Sequence, residues 1–134
     1  MIIKKESLLN IVALARKNEA DRIEENKKRK QNQIKQIIMR VTEIMLVEVD
    51  QKLIKAAEAG HDNLNMRFDP RKFGKDGETN LISLCNDLSV TPQYIITEAL
   101  EAVQAELNKA GYESKVVKTG GLNTLRDLTI IFKD

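Results

Sequence analysis

The stretch IKQIIMRVTEIMLVEVDQKLIKAAEA, residues 34–59, decides how the chain must fold. Ile34, Ile38, Val41, Met45, Val49 and Leu53 recur at helical spacing, and a second row runs through Ile37, Ile44, Val47 and Ile54. One row is enough to cover one side of a small domain. Two rows make a wide apolar face, which needs cover from more than one direction. The first row is therefore expected to cover the chain's own sheet and the second to be left for a partner chain, the alternative being cover by residues 8–15 of the same chain.

Towards the N-terminus, SLLNIVALARK (7–17) is a second amphipathic segment, with Ser7 as its expected N-cap. Eleven residues are too few for an isolated helix in water, so this segment has to dock on something. Leu8, Ile11 and Val12 join Ile37, Ile44, Val47 and Ile54 as the expected oligomer interface. Between the two lies NEADRIEENKKRKQNQ (18–33), with only Ala20 and Ile23 apolar. It has no Gly or Pro, and it offers i, i+4 acid–base pairs such as Glu24 with Lys28, so it reads as a solvated helical spacer. Residues 1–33 are expected to form an arm and residues 34–134 a domain.

Beyond Gly60, an expected C′ glycine, the period changes. NLNMRF (63–68) alternates as a half-buried strand, and DPRKFGKDGE (69–78) reads as a loop. Short and long helices follow at 79–89 and 93–110, the second with Thr91 as N-cap and Pro92 at its first position. That helix stops at Gly111, with Tyr112 positioned to close a Schellman-type cap on Leu107. Strands at 113–119 and 127–133 flank the loop 120–125.

The last strand is the most apolar, which predicts that it is central and antiparallel to both others. The class is α+β: long N-terminal helices followed by a two-layer β-α-α-β-β domain with a three-stranded sheet. Leu64, Met66, Phe68, Leu128, Ile130 and Phe132 would face the helices. Asn65, Arg67, Lys115, Val117, Thr129, Ile131 and Lys133 would form the other face.

Composition limits the function. With 134 residues, 42% hydrophobic and 31% charged, the chain is expected to be one globular domain. Aromatics at 4% leave an aliphatic core. A net charge of +2 gives no whole-protein field for steering nucleic acid or membranes. The balance is +4 over residues 1–60 and −2 over 61–134, so the basic excess belongs to the helical part. A lone Cys85 makes no intramolecular disulfide. Neither a secretory leader nor an apolar run of about 18 residues is seen, and the expectation is a cytoplasmic protein without membrane contact.

Chemistry-bearing residues are few. His61 has no Cys/His set around it, so a loop role is expected rather than metal binding. Cys85 sits on an apolar stripe and is expected to be a buried thiol. No catalytic residue, metal or cofactor is expected. The run Lys27, Lys28, Arg29 and Lys30, with Lys35 and Arg40 beyond it, is the candidate nucleic-acid surface. Asp21, Glu24 and Glu25 oppose it, and no aromatic precedes Phe68 to stack bases. Arg71, Lys72 and Lys75, with Gly120 and Gly121, form a candidate loop for an anion such as a nucleotide, or for a partner. The loop lacks P-loop and EF-hand spacing.

ALEAVQAELNKAGYESKVVK (99–118) and LRDLTIIF (125–132) resemble the tail of small α/β proteins encoded by bacteriophages and prophages, in which a helix, "GY", a strand and a final "LTI" strand recur. The resemblance covers about forty residues and carries no functional residue. It implies a phage accessory factor, in the host cytoplasm, acting on a host or phage protein. The reading from sequence is a non-enzymatic homo-oligomer, a coiled-coil dimer in the simplest case, that binds an unidentified protein. The alternatives are a nucleic-acid binder and a nucleotide binder.

Overall fold

A computed structural model describes residues 2–70, 81–121 and 125–132 of the chain. The elements run α1 (Lys5–Glu58), β1 (Asn63–Phe68), α2 (Leu81–Leu88), α3 (Pro92–Lys109), β2 (Glu113–Thr119) and β3 (Leu125–Ile131). The class is α+β, with a long N-terminal helix and a three-stranded antiparallel sheet. The chain divides into two units, Met1–Gln33 and Ile34–Asp134.

The first segment, the spacer and the main helix are one element, α1. No Gly occurs before Gly60 and no Pro before Pro70, so nothing breaks the backbone ladder. Ser7 is not the N-cap. The Leu8 N–H already bonds to the Lys4 carbonyl at 3.2 Å, which closes the first turn upstream of it.

Both long helices end in the same way. At α1, the His61 N–H donates to the Ala56 carbonyl at 2.9 Å and the Gly60 N–H to Ala57 at 3.0 Å. At α3, the Tyr112 N–H donates to Leu107 at 2.9 Å and the Gly111 N–H to Asn108 at 3.1 Å. These paired bonds are the Schellman arrangement, which needs a left-handed C′ residue; Gly60 (φ 82°) and Gly111 (φ 91°) supply it. α3 begins with the expected cap, the Tyr94 N–H reaching Thr91 Oγ1 at 3.3 Å.

The sheet order is β1-β3-β2, antiparallel throughout. Leu64 opposes Ile130 and Met66 opposes Leu128, so these side chains share one face. Strand β3 starts two residues earlier than expected and ends at Ile131. The inward position that extends it is Arg126, buried opposite Phe68 and Lys118. Its Nε donates to Thr97 Oγ1 at 3.2 Å and its Nη1 to the Leu125 carbonyl at 3.0 Å. A buried guanidinium is tolerated where such acceptors meet it. Beyond β3, the Phe132 N–H donates to the Asp62 carbonyl at 2.9 Å.

The core of Ile34–Asp134 joins Val41, Met45, Val49 and Leu53 of α1 with Met66 and Phe68, with Leu81 and Cys85, with Ile96, Leu100 and Val103, and with Leu128 and Ile130. Burying each aliphatic side chain is worth about 1.5–3 kcal/mol. Tyr112 packs edge-on against Phe132, with centroids 6.4 Å apart. Among the described residues no helix is long and apolar enough to cross a membrane.

Candidate functional site

At 3.6 residues per turn, the Ile44–Val47–Ile54 row lies roughly 160° around α1 from the Val41–Leu53 row. The side chains follow that geometry. Met45 is 0% exposed, while Ile44 is 37% exposed and Val47 and Ile54 are each 58% exposed. Met39, at 62%, adds to this outward surface, and a shallow hollow runs past Gln36, Met39, Arg40, Glu43 and Ile44. Ile37 departs from the expected interface. It is half-buried and packs on the chain's own core, because it sits on the flank between the two rows.

In Met1–Gln33 the expected interface residues Leu8, Ile11 and Val12 are exposed, and so are Leu9, Leu14 and Ile23. Leu9 and Met39 were passed over by a reading confined to the regular stripes, which took in Leu14 only as an apolar residue of the segment 7–17. In the run LLNIVALA, residues 8–15, apolar side chains occur on every side of the helix, which was the available signal.

Lys27, Lys28, Arg29, Lys30, Lys35 and Arg40 are all exposed on α1. The side chains of Arg71, Lys72 and Lys75 lie outside the described residues. Gly120 (φ 80°) is explained by its turn. A Cβ there would sit 2.8 Å from Leu125 Cγ, so both conformation and space favour glycine. Among the described residues nothing lies within 4 Å of a Cβ built at Gly121.

The sheet face away from the core carries a feature that the sequence did not reveal. Arg67 and Asp127 stand opposite each other on β1 and β3, Nε to Oδ1 at 2.8 Å and Nη2 to Oδ2 at 3.1 Å. This two-pronged pairing holds the Asp127 carboxyl below its ordinary pKa and the guanidinium above its own. On the same face Val117, opposite Asp127, is 44% exposed, and Ile131, four residues further along β3, is 37% exposed. Lys133 lies outside the described residues. Cys85 is buried on α2, and burial pushes its thiol pKa up. His61 is exposed, and its backbone completes the α1 cap. Among the described residues no three His, Cys, Asp or Glu side chains cluster as metal ligands.

The chain matches no family model, no curated protein and no solved structure.

Proposed function

We propose that the protein is a non-enzymatic, homo-oligomeric binding and assembly protein, in which α1 pairs with a second copy and the outer sheet face receives a protein partner. One observation carries the reading: α1 has an apolar row facing away from the core that its own chain leaves exposed. Burying the exposed parts of Ile44, Val47 and Ile54 is worth about 2–5 kcal/mol per copy, or about 5–9 kcal/mol for a symmetric pair. Association itself costs about 4–15 kcal/mol, so this row alone makes at best a weak dimer. The arm residues Leu8, Leu9, Ile11, Val12 and Leu14, 43–60% exposed, supply about 4–8 kcal/mol more per copy. The arm is thus required for association.

The same reading takes the helices of residues 34–134 as one layer and the sheet as the other. The phage-like tail at 99–118 and 125–132 supports an accessory role acting on a host or phage protein. Light scattering at tens of micromolar tests the core of the proposal. The intact chain should be dimeric or larger and a chain lacking residues 1–33 monomeric; a monomeric intact chain removes the proposal.

A second reading, nucleic-acid binding, rests on the exposed run Lys27–Lys30 with Lys35. It requires salt-dependent retention of DNA or RNA that is lost when Lys27–Lys30 are neutralised. No retention at low salt removes it.

A further inference from the structure

We infer that strand β2 receives an extended segment of the partner protein on its free edge, antiparallel to it and with a lysine or arginine opposite Ser114. The inference rests on the partner-binding half of the proposed function and names the backbone that makes the contact.

The alternation of hydrogen bonds in the sheet identifies the free groups. In an antiparallel ladder, successive residues of a strand direct their N–H and C=O to opposite neighbours. The Phe132 N–H donates to the Asp62 carbonyl on the β1 side, so Ile130, Leu128 and Arg126 serve β1, while Ile131, Thr129, Asp127 and Leu125 serve β2. Their partners on β2 are Glu113, Lys115, Val117 and Thr119. Ser114, Val116 and Lys118 are left facing outward. The Ser114 carbonyl agrees with this, since it accepts from Gln104 Nε2 of α3 at 3.5 Å. The N–H groups of Ser114, Val116 and Lys118 and the carbonyls of Val116 and Lys118 remain, without a partner among the described residues. The register of β2 is unbroken and the strand contains neither Gly nor Pro. Such an edge matches the backbone of another extended chain.

Charge sets the side chain. In an antiparallel pair the two facing side chains lie on one side of the sheet. The residue opposite Ser114 therefore points to the α3 side, into a hollow lined by Glu101, Gln104, Asn108, Tyr112, Glu113 and Ser114 itself. Neither carboxylate is paired with a base among the described residues. A lysine or arginine entering there meets a carboxylate and amide oxygens. Lys118, exposed on the same side further along β2, rejects a second base. The edge thus selects one basic residue at one end and not a polybasic run. A second copy's β2 would also bring Lys118 to the hollow, but the two-fold axis would set α3, which packs on β2, beside its own copy with Glu101 on the facing flank.

Amide exchange followed by NMR on the intact chain tests the inference. In the free protein the Ser114, Val116 and Lys118 amides should exchange fast, while those of Lys115, Val117 and Thr119, bonded to β3, exchange slowly. The probe is a capped polythreonine peptide as long as β2, with arginine next to its C-terminus. Saturating peptide is expected to slow the outward amides. Glutamate in place of the arginine should weaken binding about 5-fold or more, and Glu101→Gln should weaken binding of the arginine peptide about 2–5-fold. Methylating the peptide nitrogens that face β2 should abolish binding. Outward amides that stay fast in millimolar peptide, or equal affinity for the arginine and glutamate peptides, overturn the inference. Slow exchange in the free chain that grows with protein concentration also overturns it, by putting a second copy on the edge. Shifts confined to Arg67, Val117 and Thr129 overturn it while leaving a partner on the outer face; no response at either place overturns both.

Discussion

Replacing Val47 by Asp separates assembly from folding. Val47 is 58% exposed on α1, two residues from Met45, which is 0% exposed on the other side of the helix. Within one copy, Val47→Asp exchanges residues of similar helix propensity, but Glu43 and Asp50 stand at i−4 and i+3 and part of Val47 is covered, so fold stability should fall by about 1 kcal/mol. Between copies, the lost burial amounts to about 1–2 kcal/mol at each of two symmetric sites. That alone weakens association by about 30-fold or more, and an unpaired carboxylate in the contact adds to it. Sedimentation equilibrium over a wide concentration range reads the association constant. Thermal unfolding of the dilute, dissociated protein reads the fold. An unchanged association constant, or a loss of fold stability as large as that of a core truncation, would refute the reasoning.

Met45→Ala is that core truncation, and it should cost about 2–5 kcal/mol in denaturant unfolding. Gly111→Ala forces a left-handed Cβ and should cost about 1–2 kcal/mol, whereas Gly121→Ala, with nothing within 4 Å among the described residues and no positive φ, should be near neutral. The Asp127 carboxyl has a folded-state pKa below its unfolded value, so its contribution is present above the ordinary carboxylate range and is lost as pH falls through the depressed value. Asp127→Asn should therefore flatten the acid limb of a stability–pH curve; an unaltered limb counts against the ion pair's role. Cys85 should react with a thiol reagent slowly in the folded protein and fast in denaturant, and rapid native labelling contradicts its burial.

Elements with strong local signals were legible. Thr91-Pro92, Gly60 and Gly111 mark helix ends through backbone chemistry that acts within a few residues, and β1 alternates cleanly. The start of β3 was not legible, because its first inward residue is an arginine whose acceptors include Thr97 on a distant helix. The Arg67–Asp127 pair depends on strand register, which joins positions 60 residues apart. The continuity of α1 was half legible: the spacer lacks breakers, but it also lacks the apolar period by which helices are recognised. The outward row was visible as spacing. Its separation from the core was not, since Ile37 belongs to the row by count and to the core by contact.

Strand β3 lies between β1 and β2 yet follows both in the chain. During synthesis, β1 and β2 leave the ribosome with no strand to pair with, and they are not neighbours of each other. The sheet cannot begin to zip until β3 has emerged, and β1 must then recruit a partner some 60 residues away. Until that moment Met66 and Phe68 have no sheet to shelter them. Helix α1, whose backbone hydrogen bonds are all local, needs no later strand to close its own ladder. Until β3 arrives, the Val41–Leu53 row of α1 lacks Leu128 and Ile130, which help to cover it in the folded chain, and apolar surface left uncovered in this way is open to other chains.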